Sequence, residues 1–542
     1  MSKEIGKVLG TADAQPLDFW IAVPAAEPLQ LDDVVLVRRT LSGGHEVTLY
    51  GIVDILVARH EGAKLESDVF LATDGVLPLT HAVKAHVSVT RVDPEIFVPP
   101  LPGEPVYKAA DGDRDKALFF DAMTKPFPLG LSRDGEPVHG NFEFLDGSRG
   151  AHVNISGISG VATKTTYATF LLYGIFHSKL LGAAAGNTHA LIFNVKGEDL
   201  LFLDKPNKAL RADQEALYAK LGLQPGAFED LAIYAPVRRE TLEMVPDTGS
   251  RTEGVIPFAW TVKQFCEERL LRFLFTEAED DSSQLGSVVE RVEARLARAR
   301  DDIRGIDGFD GLVEYIQEHL DDWAGSYASG TRSAFERRLL SAAARVAHLI
   351  RGHTDDGERN VINWRKAQVT VIDIHNLHDR AKRFVIGVVL KRMFEDKEKA
   401  GTSRPLAFVV LDELNKYAPR EGWSPIKDVI LDMAERGRSL GVILIGAEQT
   451  ASQIERRVVA NSSFRVVGRL DLAEAQQHEY AFLPGPSRAR AGILKPGTVI
   501  VSQPEIPIPL LVRFPFPSWA TRESEARTAA AAGKDPFRKF RS

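Results

Sequence analysis

Short uninterrupted apolar runs alternate with helical apolar stripes through most of this chain. His152–Ser156, Ala190–Val195, Gln368–Ile374, Leu406–Leu411 and Gly441–Gly446 are brief, continuously apolar stretches of the kind that fill a parallel sheet buried on both faces. Thr165–Phe176, Asp379–Glu398 and Pro425–Arg438 read as helices between them. This alternation predicts an α/β sheet with helices on both faces. Residues 1–100 have a different rhythm. Asp33–Arg39 and His45–Val57 are β-rich runs around Leu41-Ser-Gly-Gly, a hairpin connection, and further short strands are expected at Asp68–Leu71 and Ala85–Arg91. Short strands separated by turn residues predict a β-barrel. The run Phe97-Val-Pro-Pro-Leu-Pro-Gly-Glu-Pro breaks regular structure and reads as a linker.

A helical interruption is expected over roughly 205–355. Leu285, Val288, Val289, Val292 and Leu296 recur at helical spacing, as do Phe335, Leu339, Leu340, Ala343, Val346 and Ile350, with Ser333-x-x-Glu336 as a candidate capping box. The charges interleaved with these stripes could form a track for DNA, but the solvated face of a helical bundle is the simpler source of such a pattern. The expected domains are therefore a barrel over 1–100, a first core segment over 106–205, an inserted helical bundle over 206–360, a second core segment over 361–516 and a tail over 517–542. The tail, rich in Ala, Arg and Lys, is expected to be peripheral.

At 542 residues the chain exceeds what one ordinary core holds. Its apolar content of 44% and charged content of 26% are ordinary for a soluble globular protein. The single cysteine, Cys266, excludes an internal disulfide and suits a reducing cytoplasm, and Met1-Ser-Lys-Glu-Ile lacks the apolar core of a secretory signal. The most apolar helix, Tyr167–Phe176, falls short of the roughly 18 residues a membrane span needs, so no membrane association is expected. A net charge of −7 argues against a surface that attracts nucleic acid everywhere, while leaving room for local basic loops.

Candidate chemistry centres on Gly157-Ile-Ser-Gly-Val-Ala-Thr-Lys-Thr-Thr166, between a strand and a helix. A phosphate loop needs backbone N–H groups lining a concavity, a helix N-terminus facing the anion, a lysine for the outer phosphates and a hydroxyl for Mg2+. Gly157, Ser159, Gly160, Val161, Ala162, Thr163, Lys164, Thr165 and Thr166 form the candidate ATP-binding loop. The spacing departs from the standard pattern: Ile158 stands where the first glycine belongs, and Thr163 replaces the glycine before the lysine. The second half of the site is the apolar strand ending in Asp412-Glu413. Asp412, with Thr165, is the candidate Mg2+ ligand, and Glu413 the group that orients or deprotonates the attacking water. Gln449 follows the next strand as a candidate γ-phosphate sensor. Arg436, Arg438 and Arg465 are candidates to reach a neighbour's nucleotide, with Arg438 preferred.

With these residues in place, the chain resembles the HerA branch of the HerA/FtsK translocase superfamily. His152-Val-Asn-Ile-Ser-Gly-Ile-Ser-Gly opens the loop as that family does. Asp412-Glu-Leu-Asn-Lys-Tyr-Ala-Pro419 is similar to its extended Walker B segment, although Asn415 stands where many relatives have His. Arg438-Ser-Leu-Gly-Val-Ile-Leu-Ile with Gln449, and Val369-Thr-Val-Ile-Asp-Ile, match it as well. The resemblance implies a RecA-like P-loop core with an N-terminal β-barrel and an inserted helical bundle, and a C-terminal brace. It also implies a homo-hexameric ring around duplex DNA and a NurA-type nuclease or another effector as partner, in DNA end resection or phage defence. Pore-facing loops would carry Lys205, Lys208 and Arg211, or Lys416 and Arg420, for sequence-independent phosphate contact. Two other classes stay open: a motor for another polymer, such as a protein-secretion ATPase, and a nucleotide-binding scaffold with weak hydrolysis.

Overall fold

A computed structural model describes residues 3–24, 28–63, 65–78, 80–158, 164–241, 243–275, 283–325, 327–352 and 360–526. The chain forms two units, one of Met1–Phe142 with Arg469–Arg513, the other of Glu143–Gly468 with Phe514–Ser542.

The second unit is built on eight parallel strands: β1 (Val153–Ser156), β2 (His189–Asn194), β3 (Leu231–Pro236), β4 (Val255–Phe258), β5 (Val369–Asp373), β6 (Ala407–Asp412), β7 (Val442–Glu448) and β8 (Phe464–Val467). Their order is β4-β3-β5-β2-β6-β7-β1-β8, every pair parallel. The apolar residues of β2, β6 and β7 are buried on both faces, which is why these segments read as unbroken apolar runs. The fold is α/β, and β7 lies between the strand leading into the candidate loop and the strand carrying the acidic pair.

Helix α1 (Lys164–His177) follows β1, and Tyr167–Phe176 is buried on every side. No helix among the described residues is long and apolar enough to cross a membrane. Within the stretch expected to be helical, β3 and β4 instead extend the parallel sheet; α2 (Ser283–Leu296), α3 (Phe309–Ala324) and α4 (Ser329–Val346) then pack on one another. Leu285, Val288, Val289, Val292, Leu296, Phe335, Leu339, Ala343 and Val346 are buried in one continuous core, each large aliphatic side chain contributing about 1.5–3 kcal/mol relative to exposure. Leu340 is 46% exposed, on the outer side of α4. The expected capping box does not form. Helix α4 starts at Ser329, so Ser333 lies inside it, and Glu336 instead accepts a hydrogen bond from Gln317 at 2.6 Å.

Helices α5 (Asp379–Ala400) and α6 (Pro425–Leu440) follow β5 and β6. Ser424 caps α6 by accepting from the Lys427 N–H at 3.3 Å, with Pro425 in the first turn. Gly441 ends it in the left-handed conformation, φ 70°.

In the first unit, six strands close a barrel in the order Glu4–Val8, Asp18–Val23, His81–Asp93, Glu46–His60, Val34–Thr40, Pro105–Lys108. Phe19, Ile21, Val35, Val37, Val53, Val87 and Val106 fill its interior. The sixth strand starts at Pro105, the last residue of the proline-rich run, so that run leads back into the barrel. Asp68–Thr73 is a short helix, not the expected strand. A three-residue apolar run such as Val69-Phe70-Leu71 has too little periodicity to separate the two. The unit also holds an antiparallel set, Thr498–Gln503, Ile506–Arg513, Pro126–Leu131 and Pro137–Asn141, each paired with the next.

Candidate functional site

Parallel pairing brings the carboxyl ends of β1, β6, β7 and β2 to one edge of the sheet, where ligands of open α/β sheets bind. Ser156 is in register with Glu448, Asp412 with Ala447, and Phe193 with Leu411. The entry of β1 is fixed by His152, a buried residue at φ 65°. Its Nδ1 accepts the Leu444 N–H at 2.9 Å, and burial lowers its pKa to about 4, which keeps the ring a neutral acceptor.

Lys164 opens α1 and is 6% exposed, its Nζ donating to the Gly157 carbonyl at 2.7 Å. Burial lowers its pKa, with Asp412 pulling the other way. The next residue, Thr165, donates its hydroxyl to Asp412 Oδ2 at 3.3 Å, joining positions 247 residues apart. The sheet thus assembles the lysine, the hydroxyl and the acidic strand end predicted from sequence. Ser159, Gly160, Val161, Ala162 and Thr163 lie outside the described residues. Thr166 is half-buried, and its carbonyl accepts from the Thr169 hydroxyl at 2.9 Å.

Glu413 takes the left-handed conformation, φ 57°, and its N–H donates to Asp412 Oδ1 at 2.8 Å. A non-glycine residue held there costs on the order of 1–3 kcal/mol, and such strain concentrates at functional positions. Both of its carboxylate oxygens face ammonium groups: Lys196 Nζ lies 3.2 Å from Oε1 and Lys416 Nζ 2.7 Å from Oε2. Lys196 is also 3.2 Å from Asp412 Oδ2. Burial raises the Glu413 pKa, but the two lysines outweigh it and hold the carboxyl below its ordinary range.

Beneath these groups Glu448 is completely buried. Its Oε1 accepts the Ser156 hydroxyl at 3.1 Å and its backbone carbonyl accepts the Gly157 N–H at 3.0 Å. Burial drives its pKa well above the ordinary carboxyl value, against the pull of Ser156 and Lys164.

An oxygen-only pair, the Thr165 hydroxyl and the Asp412 carboxylate, suits Mg2+, which takes few protein ligands beside phosphate and water. Among the described residues no cluster of three or more His, Cys, Asp or Glu groups is placed to hold a metal ion.

Gln449 is exposed just past β7. Arg438, in the last turn of α6, donates to the Gly147 and Ser148 carbonyls at 3.2 and 2.8 Å, while Arg436 pairs with Glu398. Arg465 is half-buried on β8, in register with Asn154 of β1, and burial lowers its pKa. Lys205 pairs with Asp204 at 3.1 Å, Lys208 is exposed, and Arg211 pairs with Asp213 at 3.0 Å. Arg420 donates to the Ser452 carbonyl at 3.0 Å. Lys416, expected in a DNA-facing loop, is ion-paired to Glu413.

No family model and no curated protein matches the sequence. Among solved structures, VirB4 of Thermoanaerobacter pseudethanolicus is 14% identical, over 72% of this chain and 97% of that one, with a TM-score of 0.45. The bacterial conjugative coupling protein TrwBΔN70 is 10% identical over 76% and 94%, TM-score 0.47. The plasmid coupling protein TrwB in complex with ADP and Mg2+ is 13% identical over 76% and 94%, TM-score 0.46. Likeness at this level does not carry function from one protein to another.

Lys196, Ser156 and Glu448 were not among the candidates named from sequence. A lysine two residues past an apolar strand is a weak signal. Glu448, a carboxylate inside an apolar run, is a stronger one, because a charge there must be paired or protonated.

Proposed function

We propose that this protein is an ATPase that binds ATP with Mg2+ at the carboxyl edge of the sheet. The observation that carries this is the hydrogen bond between Thr165 at the start of α1 and Asp412 at the end of β6, beside buried Lys164. Lys164 is the group for the outer phosphates, and the N-terminus of α1 adds its dipole and free N–H groups. Thr165 and Asp412 hold the metal, which when bound supplies charge neutralisation on the phosphate oxygens. Glu413, next to Asp412, is the carboxylate assigned to the attacking water, which it would hold by accepting a hydrogen bond.

The fuller function is that of a HerA-type hexameric ring that moves duplex DNA for a NurA-type nuclease or another effector, in end resection or phage defence. The resemblance in the loop and acidic-strand segments and the RecA-like strand order support it. Arg438 and Arg465 are then candidates to complete a neighbour's site across the ring. ATP hydrolysis measured with and without duplex DNA tests this. Turnover should rise with DNA, and Lys164→Ala or Glu413→Gln should lower it by roughly a hundredfold or more, while Glu413→Gln keeps nucleotide binding. Hydrolysis indifferent to DNA would favour a motor for another polymer, and equal rates in wild type and Glu413→Gln would favour a scaffold.

A further inference from the structure

The carboxylate assigned to the attacking water is held by two ammonium groups, one on each oxygen. Lys196 comes from the segment after β2, and Lys416 from the turn after Glu413 itself. A general base held this way is poorly placed for water. Each ammonium occupies an oxygen that would otherwise be open to accept from water.

The hold is breakable. Lys196 and Lys416 side chains are 40% and 42% exposed, so each ammonium reaches water while Glu413 stays mostly covered, at 15%. Pairs of this exposure are weak, within the reach of a competing anion. Lys416 also stands in a small basic neighbourhood. Lys382 in the first turn of α5 and Arg383 just after it are like charges near it, with Asp379 as the opposing charge. The Lys382 ammonium donates to the Val195 carbonyl at 3.1 Å, tying that turn to the segment carrying Lys196.

We propose that Lys196 and Lys416 form an inhibitory clamp on Glu413, and that a nucleic-acid phosphate backbone reaching Lys416 opens it. A phosphate drawing the Lys416 ammonium away frees Oε2, and the Glu413 carboxylate then turns to water. Lys196 and Lys416 are positioning residues here, acting through Glu413. The clamp rests on the proposed ATPase function and gives it a regulatory device.

Steady-state ATP turnover, without and with saturating duplex DNA, and affinity for a fluorescent ATP analogue with Mg2+ would be measured for wild type, Lys416→Met, Lys416→Arg and Lys196→Met. Lys416→Met should raise DNA-free turnover roughly threefold or more and shrink the stimulation by DNA toward unity, with analogue affinity changed less than about twofold. Lys416→Arg, which keeps the charge, should raise DNA-free turnover less than Lys416→Met does, and Lys196→Met should also raise DNA-free turnover. A merely structural lysine would lower turnover when lost. Unchanged or reduced DNA-free turnover in Lys416→Met with DNA stimulation intact would overturn the clamp, as would wild-type turnover indifferent to DNA. A wild type that binds no analogue would remove the ATPase function itself, a separate failure seen in the binding measurement.

Discussion

A carboxyl group buried without a full counter-charge persists by keeping its proton, and Glu448 is such a group. One oxygen accepts from Ser156, and the other has no hydrogen-bond partner among the described residues. Its folded pKa lies well above the ordinary carboxyl value, because burial disfavours the anion. As pH rises past the unfolded value, the unfolded chain ionises first, so the group's contribution is fully present below about pH 4 and is lost as pH climbs. Glu448→Gln, which keeps the shape without the ionisation, should therefore raise the thermal midpoint by a few degrees near pH 8 and change it little near pH 4.5, as read by calorimetry. At this scale Lys164, Thr165, Asp412 and Glu413 were legible in the sequence, because each residue type has a chemical reason to follow its strand. Lys196 was not. In Asn194-Val-Lys196-Gly-Glu198 it is indistinguishable from a solvated lysine until parallel register sets the end of β2 beside β6.

Strands buried on both faces declare themselves as unbroken apolar runs, and β1, β2, β5, β6 and β7 fall within a few residues of the expected segments. Strands β3 and β4 were missed because each carries a proline, Pro236 and Pro257, which argues against a strand of a buried sheet. β4 is an edge strand, where a missing N–H is tolerated. The hairpin of Thr498–Gln503 and Ile506–Arg513 was missed too, since alternating prolines at Pro507 and Pro509 hide its strand character. The turn from α6 into β7 gives a test of how tightly this element is specified. Gly441 has φ 70°, and a Cβ there would overlap the Ser403 carbonyl oxygen, a backbone atom with little room to move. Gly441→Ala should destabilise the protein by about 2–4 kcal/mol in denaturant unfolding, more than the φ penalty alone.

Across the whole molecule, a barrel-bearing unit and a parallel-sheet unit share one chain, and residues 469–513 belong to the first although they follow the last strand of the second. That return was invisible in the sequence, since nothing local marks a segment as rejoining a unit more than three hundred residues upstream. What the sequence did contain was the pairing of a loop at one strand end with carboxylates at another, separated by the long stretch that adds β3, β4 and α2–α4. The most direct measurement is an experimental structure of the protein with a non-hydrolysable ATP analogue and Mg2+. The outer phosphates should lie against Lys164 Nζ, with the metal touching the Thr165 hydroxyl and approached by Asp412. A triphosphate bound away from the ends of β1 and β6, or no bound nucleotide at saturating concentration, would contradict it.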